Sequence, residues 1–271
     1  MADNTILPAE EIDERFVDVD FQDDPNYVFG DLGVPFCAAF NPYEAAEELL
    51  SDAEITACME YQAAHPGTSL EYLIRRAYDQ KNEGSCVGNM AVQGAEEVGV
   101  KQLGKDRFPE LSAISCYKQI GRSAQSGAMV SDAMVALSDT GILPLDTPAN
   151  RAVYGAHVMP PTGFSTPFPV GWKETAIKFR GVEFLVIRTV QGLFTALCKG
   201  HPVGVGREGH SVLYQRVMML NGRRVVKYIN SWGAWGDSGG TLAAGFGYDT
   251  ESQIKKSAGW AFAIRSVTVP N

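Results

Sequence analysis

The chain has 271 residues, 45% of them hydrophobic, which is enough to bury one large core or two smaller ones without staples. Lys plus Arg is 23 against Asp plus Glu 32, a net charge of −9, and no basic run is long enough to follow a phosphate backbone, which argues against a nucleic-acid partner. No segment approaches the ~20 apolar residues that span a bilayer, and Met1 to Phe16 has neither the basic start nor the apolar core of a secretory signal. A soluble protein of the cytoplasm is expected, with no membrane partner.

Residues 1 to 40 are acidic, rich in Asp, Pro and Gly, and show no sustained period, so they read as an extended arm. Together with two short helices between Pro42 and His65 they form an N-terminal extension, residues 1–70. The second of these helices opens at Ser51, with Glu54 three residues on as a capping box. Residues 71–170 read as a helical lobe. One helix begins just after Ser85, which could cap it, with Met90, Ala91, Gly94, Ala95 and Val98 at helical spacing. Another spans Ser131 to Thr140 and stops at Gly141. Residues 171–271 turn to strands at Val182–Val190, Pro202–Val205, Val212–Leu220 and Arg223–Ile229, with a short helix over Gln191–Lys199. Asn221-Gly222 joins the last two strands in a hairpin. The expected fold class is α+β, with a helical lobe followed by an antiparallel β-rich lobe.

The five cysteines, Cys37, Cys58, Cys86, Cys116 and Cys198, are too scattered for a zinc site or a disulfide scaffold, so neither metal nor cofactor is expected and a reducing compartment fits best. Cys86 stands apart because the first turn of a helix favours thiolate over thiol. A buried cysteine is more often a plain core residue, so its position alone does not make it a nucleophile. Among the four histidines, His65 lies in a Pro-Gly turn and His157 in a Pro-rich connection. That leaves His210, with His201 as its competitor, to serve as a base. A hairpin turning at Asn221-Gly222 with about nine residues per arm brings His210 beside Asn230.

Three motifs carry a resemblance to the papain-like cysteine peptidases. Asp79-Gln80 stands ahead of Gly84-Ser85-Cys86, with Gln80 six positions before the cysteine; Gly209-His210-Ser211 opens a strand; and Asn230-Ser231-Trp232-Gly233 is followed by Trp235-Gly236. The resemblance covers about residues 72 to 265. It implies a two-lobe fold with the active-site cleft between the lobes and a Cys86–His210–Asn230 triad working through an acyl-enzyme. Gln80 and the Cys86 N–H would then hold the oxyanion, and Trp232 would shield the His210–Asn230 bond. Gly84 suits the tight turn this needs. Ser126-Gly127-Ala128 resembles the stretch whose main chain pairs with substrate, which makes Ser126 and Gly127 candidate substrate-binding residues.

The sequence also departs from the family pattern. Glu83 stands where secreted members have a cysteine, Val87 replaces the usual Trp after the nucleophile, and few residues separate Val203 from His210. These traits look like compact bacterial and viral members. The implied activity is hydrolysis of a protein or peptide substrate. The alternative is a structural subunit of a large assembly, such as a phage virion, that keeps the fold and contacts its neighbours through residues 1–70. Amide hydrolysis on peptidoglycan peptides and transpeptidation would use the same apparatus.

Overall fold

In a computed structural model of the chain, the described residues are 14–18, 40–207, 209–238, 243–257 and 261–269. The arm expected over residues 1–40 falls outside them apart from residues 14–18. There Val17 bridges to Tyr248, and Phe16 sets its ring edge-on to Trp235 at 5.2 Å. Cys37 also lies outside the described residues.

The helices and strands run α1 (Tyr43–Ala46), α2 (Asp52–Ala64), α3 (Cys86–Leu103), α4 (Ala113–Ile120), α5 (Val130–Asp139), α6 (Pro148–Tyr154), α7 (Lys173–Ala176), β1 (Gly181–Ile187), α8 (Val190–Cys198), β2 (Val203–Arg207), β3 (His210–Leu220), β4 (Arg223–Ile229), β5 (Phe246–Thr250), α9 (Glu251–Ser257) and β6 (Ala261–Val267). The strands form one antiparallel sheet in the order β1-β6-β2-β3-β4-β5. The class is α+β.

Both faces of the sheet are covered, and the alternation of side chains along each strand divides the core in two. Phe184, Val186, Leu213, Phe262 and Ile264 join the buried residues of α3, α4 and α5 on one face. Leu185, Ile187, Val212, Tyr214, Ala261 and Ala263 join Tyr43, Ile55 and Met59 of α1 and α2 and Phe194 and Leu197 of α8 on the other. Residues 43–70 therefore contribute directly to the second core. α3 presses on the sheet through Gly94, where a Cβ would stand 2.5 Å from Ile264 Cδ1 and 3.1 Å from Leu213 Cδ1. A side chain there would force the ends of Ile264 and Leu213 to shift.

Local signals account for most element ends. Ser51 and Glu54 form the capping box of α2, with the Ser51 N–H donating to Glu54 Oε2 at 2.7 Å and the Glu54 N–H to Ser51 Oγ at 3.3 Å. The β3–β4 turn has φ 47° at Asn221 and 74° at Gly222, the left-handed pair that a tight hairpin demands. Ser85 does not cap α3 with its side chain. Its Oγ instead accepts from Asn89 Nδ2 at 3.0 Å, a bond between side chains one turn apart.

Candidate active site

Two segments distant in sequence pair beside the turn that leads to Cys86. The backbone of Asp79-Gln80 pairs with Ser231-Trp232-Gly233: Gln80 N–H donates to Ser231 O at 2.8 Å and Gly233 N–H to Tyr78 O at 2.8 Å. Ser231 Oγ donates to Gln80 Oε1 at 2.6 Å, and Gln80 Nε2 donates to Glu83 O at 2.8 Å. These bonds fix the Gln80 amide in the chain that leads to Cys86. Ser231 sits inside the Asn-Ser-Trp-Gly motif, yet its hold on Gln80 was not foreseen from sequence. That hold depends on a pairing across 151 residues.

Gly84 serves this turn for a different reason than the one expected. Its φ is not positive; the residue in the left-handed region is Lys81, at 53°. The constraint on Gly84 is space. A Cβ there would stand 3.0 Å from Gly127 N and 3.3 Å from the Gln125 carbonyl carbon, so the turn at Gln125–Gly127 would have to draw back by a few tenths of an ångström. Glu83 also has a partner. Its Oε1 accepts from Gly163 N at 3.0 Å and from Phe164 N at 2.8 Å, so a carboxylate anchors the 163–164 loop beside the turn that leads to Cys86.

Cys86 begins α3 and is wholly buried. His210 begins β3, and its Nε2–H donates to Asn230 Oδ1 at 2.7 Å. Asn230 Oδ1 also accepts the Ser231 N–H at 2.7 Å, which orients the amide and assigns the imidazole proton to Nε2. The basic lone pair is then on Nδ1. The Trp232 ring lies 4.8 Å from the imidazole, tilted by 38°.

A β-bulge sets the facing of this pair. Near the turn, β3 and β4 pair in the register Leu220↔Arg223 through Arg216↔Lys227; beyond the bulge the register is Tyr214↔Tyr228 and Leu213↔Ile229, so Gln215 is the extra residue. Because side chains alternate, one extra residue reverses which positions face which side. Val217 accordingly shares a core with Tyr214 and Val212. Continued by one pair, the shifted register sets Val212 opposite Asn230 and leaves His210 on Asn230's face; the unshifted register would turn it to the other.

The other histidines have local partners. His201 Nδ1 lies 3.1 Å from Tyr43 Oη, His65 stacks on Tyr61 at 4.3 Å, and His157 is held between Thr175 Oγ1 at 3.0 Å and Val170 O at 3.1 Å. Ser126 and Gly127 lie beside the Gly84 turn. The Ser126 Oγ accepts from the Arg122 and Ser123 amides, and the Gly127 N–H donates to Tyr117 Oη at 3.1 Å, so in this state that amide is bonded within the protein.

No protein-family model and no curated protein sequence matches the chain. Solved structures do. Xylellain, a cysteine protease from Xylella fastidiosa, superposes with a TM-score of 0.64 over 89% of this chain and 97% of its own, at 15% identity. Digestive procathepsin L 3 from the larval midgut of Tenebrio molitor gives 0.57 over 90% of this chain and 76% of its own, at 14% identity. The recombinant stem bromelain precursor gives 0.53 over 91% and 78%, at 15% identity. The chain has the papain-like cysteine peptidase fold.

Within this papain-like architecture the imidazole is enclosed, as is the Cys86 thiol. Burial drives the His210 pKa down to about 3; the bond to Asn230 offsets part of the shift, and the Arg207 cation adds to it. His201 is lowered to about 4, again chiefly by burial, with the Lys101 charge next. Both imidazoles are neutral when folded, whereas in the unfolded chain they take a proton near pH 6.5. Their contribution to stability is complete above that pH and is lost as pH falls from about 6.5 toward 4 and 3, with a slope approaching about 1.4 kcal/mol per pH unit for each. Urea melts between pH 7 and 4.5 are expected to show this loss, and His201→Asn to reduce its slope. An unchanged slope in that variant would remove His201 from the account.

Proposed function

We propose that the protein is a cysteine peptidase that cleaves peptide bonds through an acyl-enzyme on Cys86. The observation that carries this reading is the Nε2–H bond from His210 to Asn230, which leaves the Nδ1 lone pair as the base. In the reaction Nδ1 takes the proton from the Cys86 thiol, and the thiolate attacks the carbonyl carbon of the scissile bond. The Cys86 N–H and the Gln80 side chain, on the segment carrying both, stabilise the oxyanion. The imidazolium then returns its proton to the leaving amine, and a water activated by Nδ1 hydrolyses the thioester. Asn230 and Trp232 keep the imidazole in one tautomer and dry on that side. Xylellain, which shares this fold, is a cysteine protease, which favours the peptidase over a structural subunit of a large assembly.

A peptidyl epoxide or vinyl sulfone is expected to modify Cys86 and no other cysteine, as read by mass spectrometry. His210→Ala should slow the modification by two to four orders of magnitude, the range typical of a lost general base. Wild-type protein that stays unmodified while a small alkylating agent reaches Cys86, or equal rates in wild type and His210→Ala, would defeat the proposal.

A further inference from the structure

The bulge that turns His210 toward Asn230 is braced from the nucleophile helix. Gln215, the extra residue, is wholly buried, and its Nε2 donates at 3.0 Å to Oε1 of Glu97 on α3, itself 1% exposed. Glu97 stands one turn beyond Gly94, where α3 already touches Leu213 of β3. Two oxygens of the pair, Glu97 Oε2 and Gln215 Oε1, are buried and accept no hydrogen bond among the described residues. Two such orphans on one acid–amide pair are costly, and a single proton resolves both.

We infer that Glu97 is a neutral carboxylic acid whose Oε2–H donates to Gln215 Oε1, closing a two-bond acid–amide ring that holds the bulge and thereby positions His210. The ring balances without any further group, since the acid gives one hydrogen bond and accepts one, as does the amide. Burial pushes the Glu97 carboxyl well above the usual carboxylate range; the Gln215 amide offsets part of that rise, and the charge of Glu96 adds to it. Among the described residues the charge acting on Glu97 is that of Glu96. Glu96 is itself engaged by Arg75 at 3.0 Å, Tyr78 Oη at 2.7 Å and the Leu111 N–H at 2.9 Å, so the Arg75 cation serves it and not Glu97. Glu97 and Gln215 are positioning residues and act only through the strand that carries His210. The positioning role rests on the peptidase reading, while the protonation state does not.

Two measurements test this. The first is infrared difference spectroscopy of the full chain at pH 7.5, wild type against Glu97→Gln. The carbonyl stretch of a protonated carboxylic acid should be present in wild type and missing in the variant; a spectrum without that band overturns the inference. The second compares Cys86 modification by the peptidyl epoxide in Glu97→Gln and Glu97→Met. Gln can form both bonds of the ring and should react within twofold of wild type, whereas Met forms neither and should react at least tenfold more slowly while remaining folded by circular dichroism. Folded Glu97→Met reacting at the wild-type rate, or Glu97→Gln slowed as much as Glu97→Met, overturns the positioning role. If wild type itself is not modified, the peptidase reading fails and the infrared band still decides the ring.

Discussion

A chain lacking Gln215 is expected to lose modification of Cys86 by at least about 100-fold, the scale that misplacing a catalytic group by an ångström can reach. Without the extra residue, β3 and β4 would continue in the Arg216↔Lys227 register up to the strand start. Residues 210–214 would then turn over. Val212 and Tyr214 would leave the core they share with α2 and α8, Leu213 would leave its contact with α3, and His210 would face away from Asn230. The strand could avoid this only by recreating a bulge elsewhere, with another residue unpaired. Gln215→Ala separates the two effects, because it removes the amide but keeps the residue count and hence the facing. The deletion should be at least tenfold worse than the substitution. A readout independent of reactivity is the resonance of the buried His210 Nε2–H proton, which is bonded to Asn230; it should persist in Gln215→Ala and vanish in the deletion. A deletion variant that keeps both the resonance and the wild-type rate would show that the register does not set the facing of His210.

That bulge marks the limit of what the sequence discloses. The Asn221-Gly222 turn and the Ser51–Glu54 box are written in local chemistry within a few residues, and each appears where that chemistry puts it; the helix at Cys86 starts where its apolar spacing begins, without the Ser85 side-chain cap. A hairpin brings the ends of its two arms together. It says nothing about which face each side chain takes, because β3 is buried on both faces and almost every residue of His210–Leu220 is enclosed, so no polar alternation betrays the skipped residue. The reason for Gly84 was hidden in a similar way, since a glycine required for a close approach looks the same in sequence as one required for a backbone angle. Glu83 and Ser231 stand in or beside the motifs, but their partners at residues 163–164 and 80 are set by tertiary contact. Glu71 in a 3-10 turn just before the Gln80 segment carries no local signal at all.

Glu71→Gln is expected to destabilise the fold by roughly 3–5 kcal/mol, the cost of breaking a buried ion pair from one side. Arg216 and Lys227 are direct cross-strand partners on β3 and β4 and are 5% and 0% exposed, so two like charges stand opposite one another inside the protein. Such a pair is repulsive on a sheet. Glu71 resolves it by accepting a hydrogen bond from Arg216 on Oε1 at 3.0 Å and setting Oε2 2.5 Å from the Lys227 ammonium as an ion pair, with Ser69 Oγ adding a bond to Oε1 at 3.1 Å. A neutral amide supplies one acceptor and no charge, which leaves two desolvated cations facing each other. At about 2–4 °C per kcal/mol for chains of somewhat smaller size, the melting temperature should fall by roughly 10 °C. The triple variant Glu71→Leu, Arg216→Met, Lys227→Met should recover most of the loss, because replacing a buried ionic cluster by apolar residues of similar volume is often neutral or stabilising. Because Glu71 ties the chain leading into Gln80 to the hairpin carrying His210 and Asn230, Glu71→Gln should also broaden or abolish the His210 Nε2–H resonance, and the triple variant should restore it. A Glu71→Gln protein within 1 kcal/mol of wild type would show that water or a shifted proton compensates the cations. A triple variant as unstable as the single one would show that Glu71 acts through packing and not through charge.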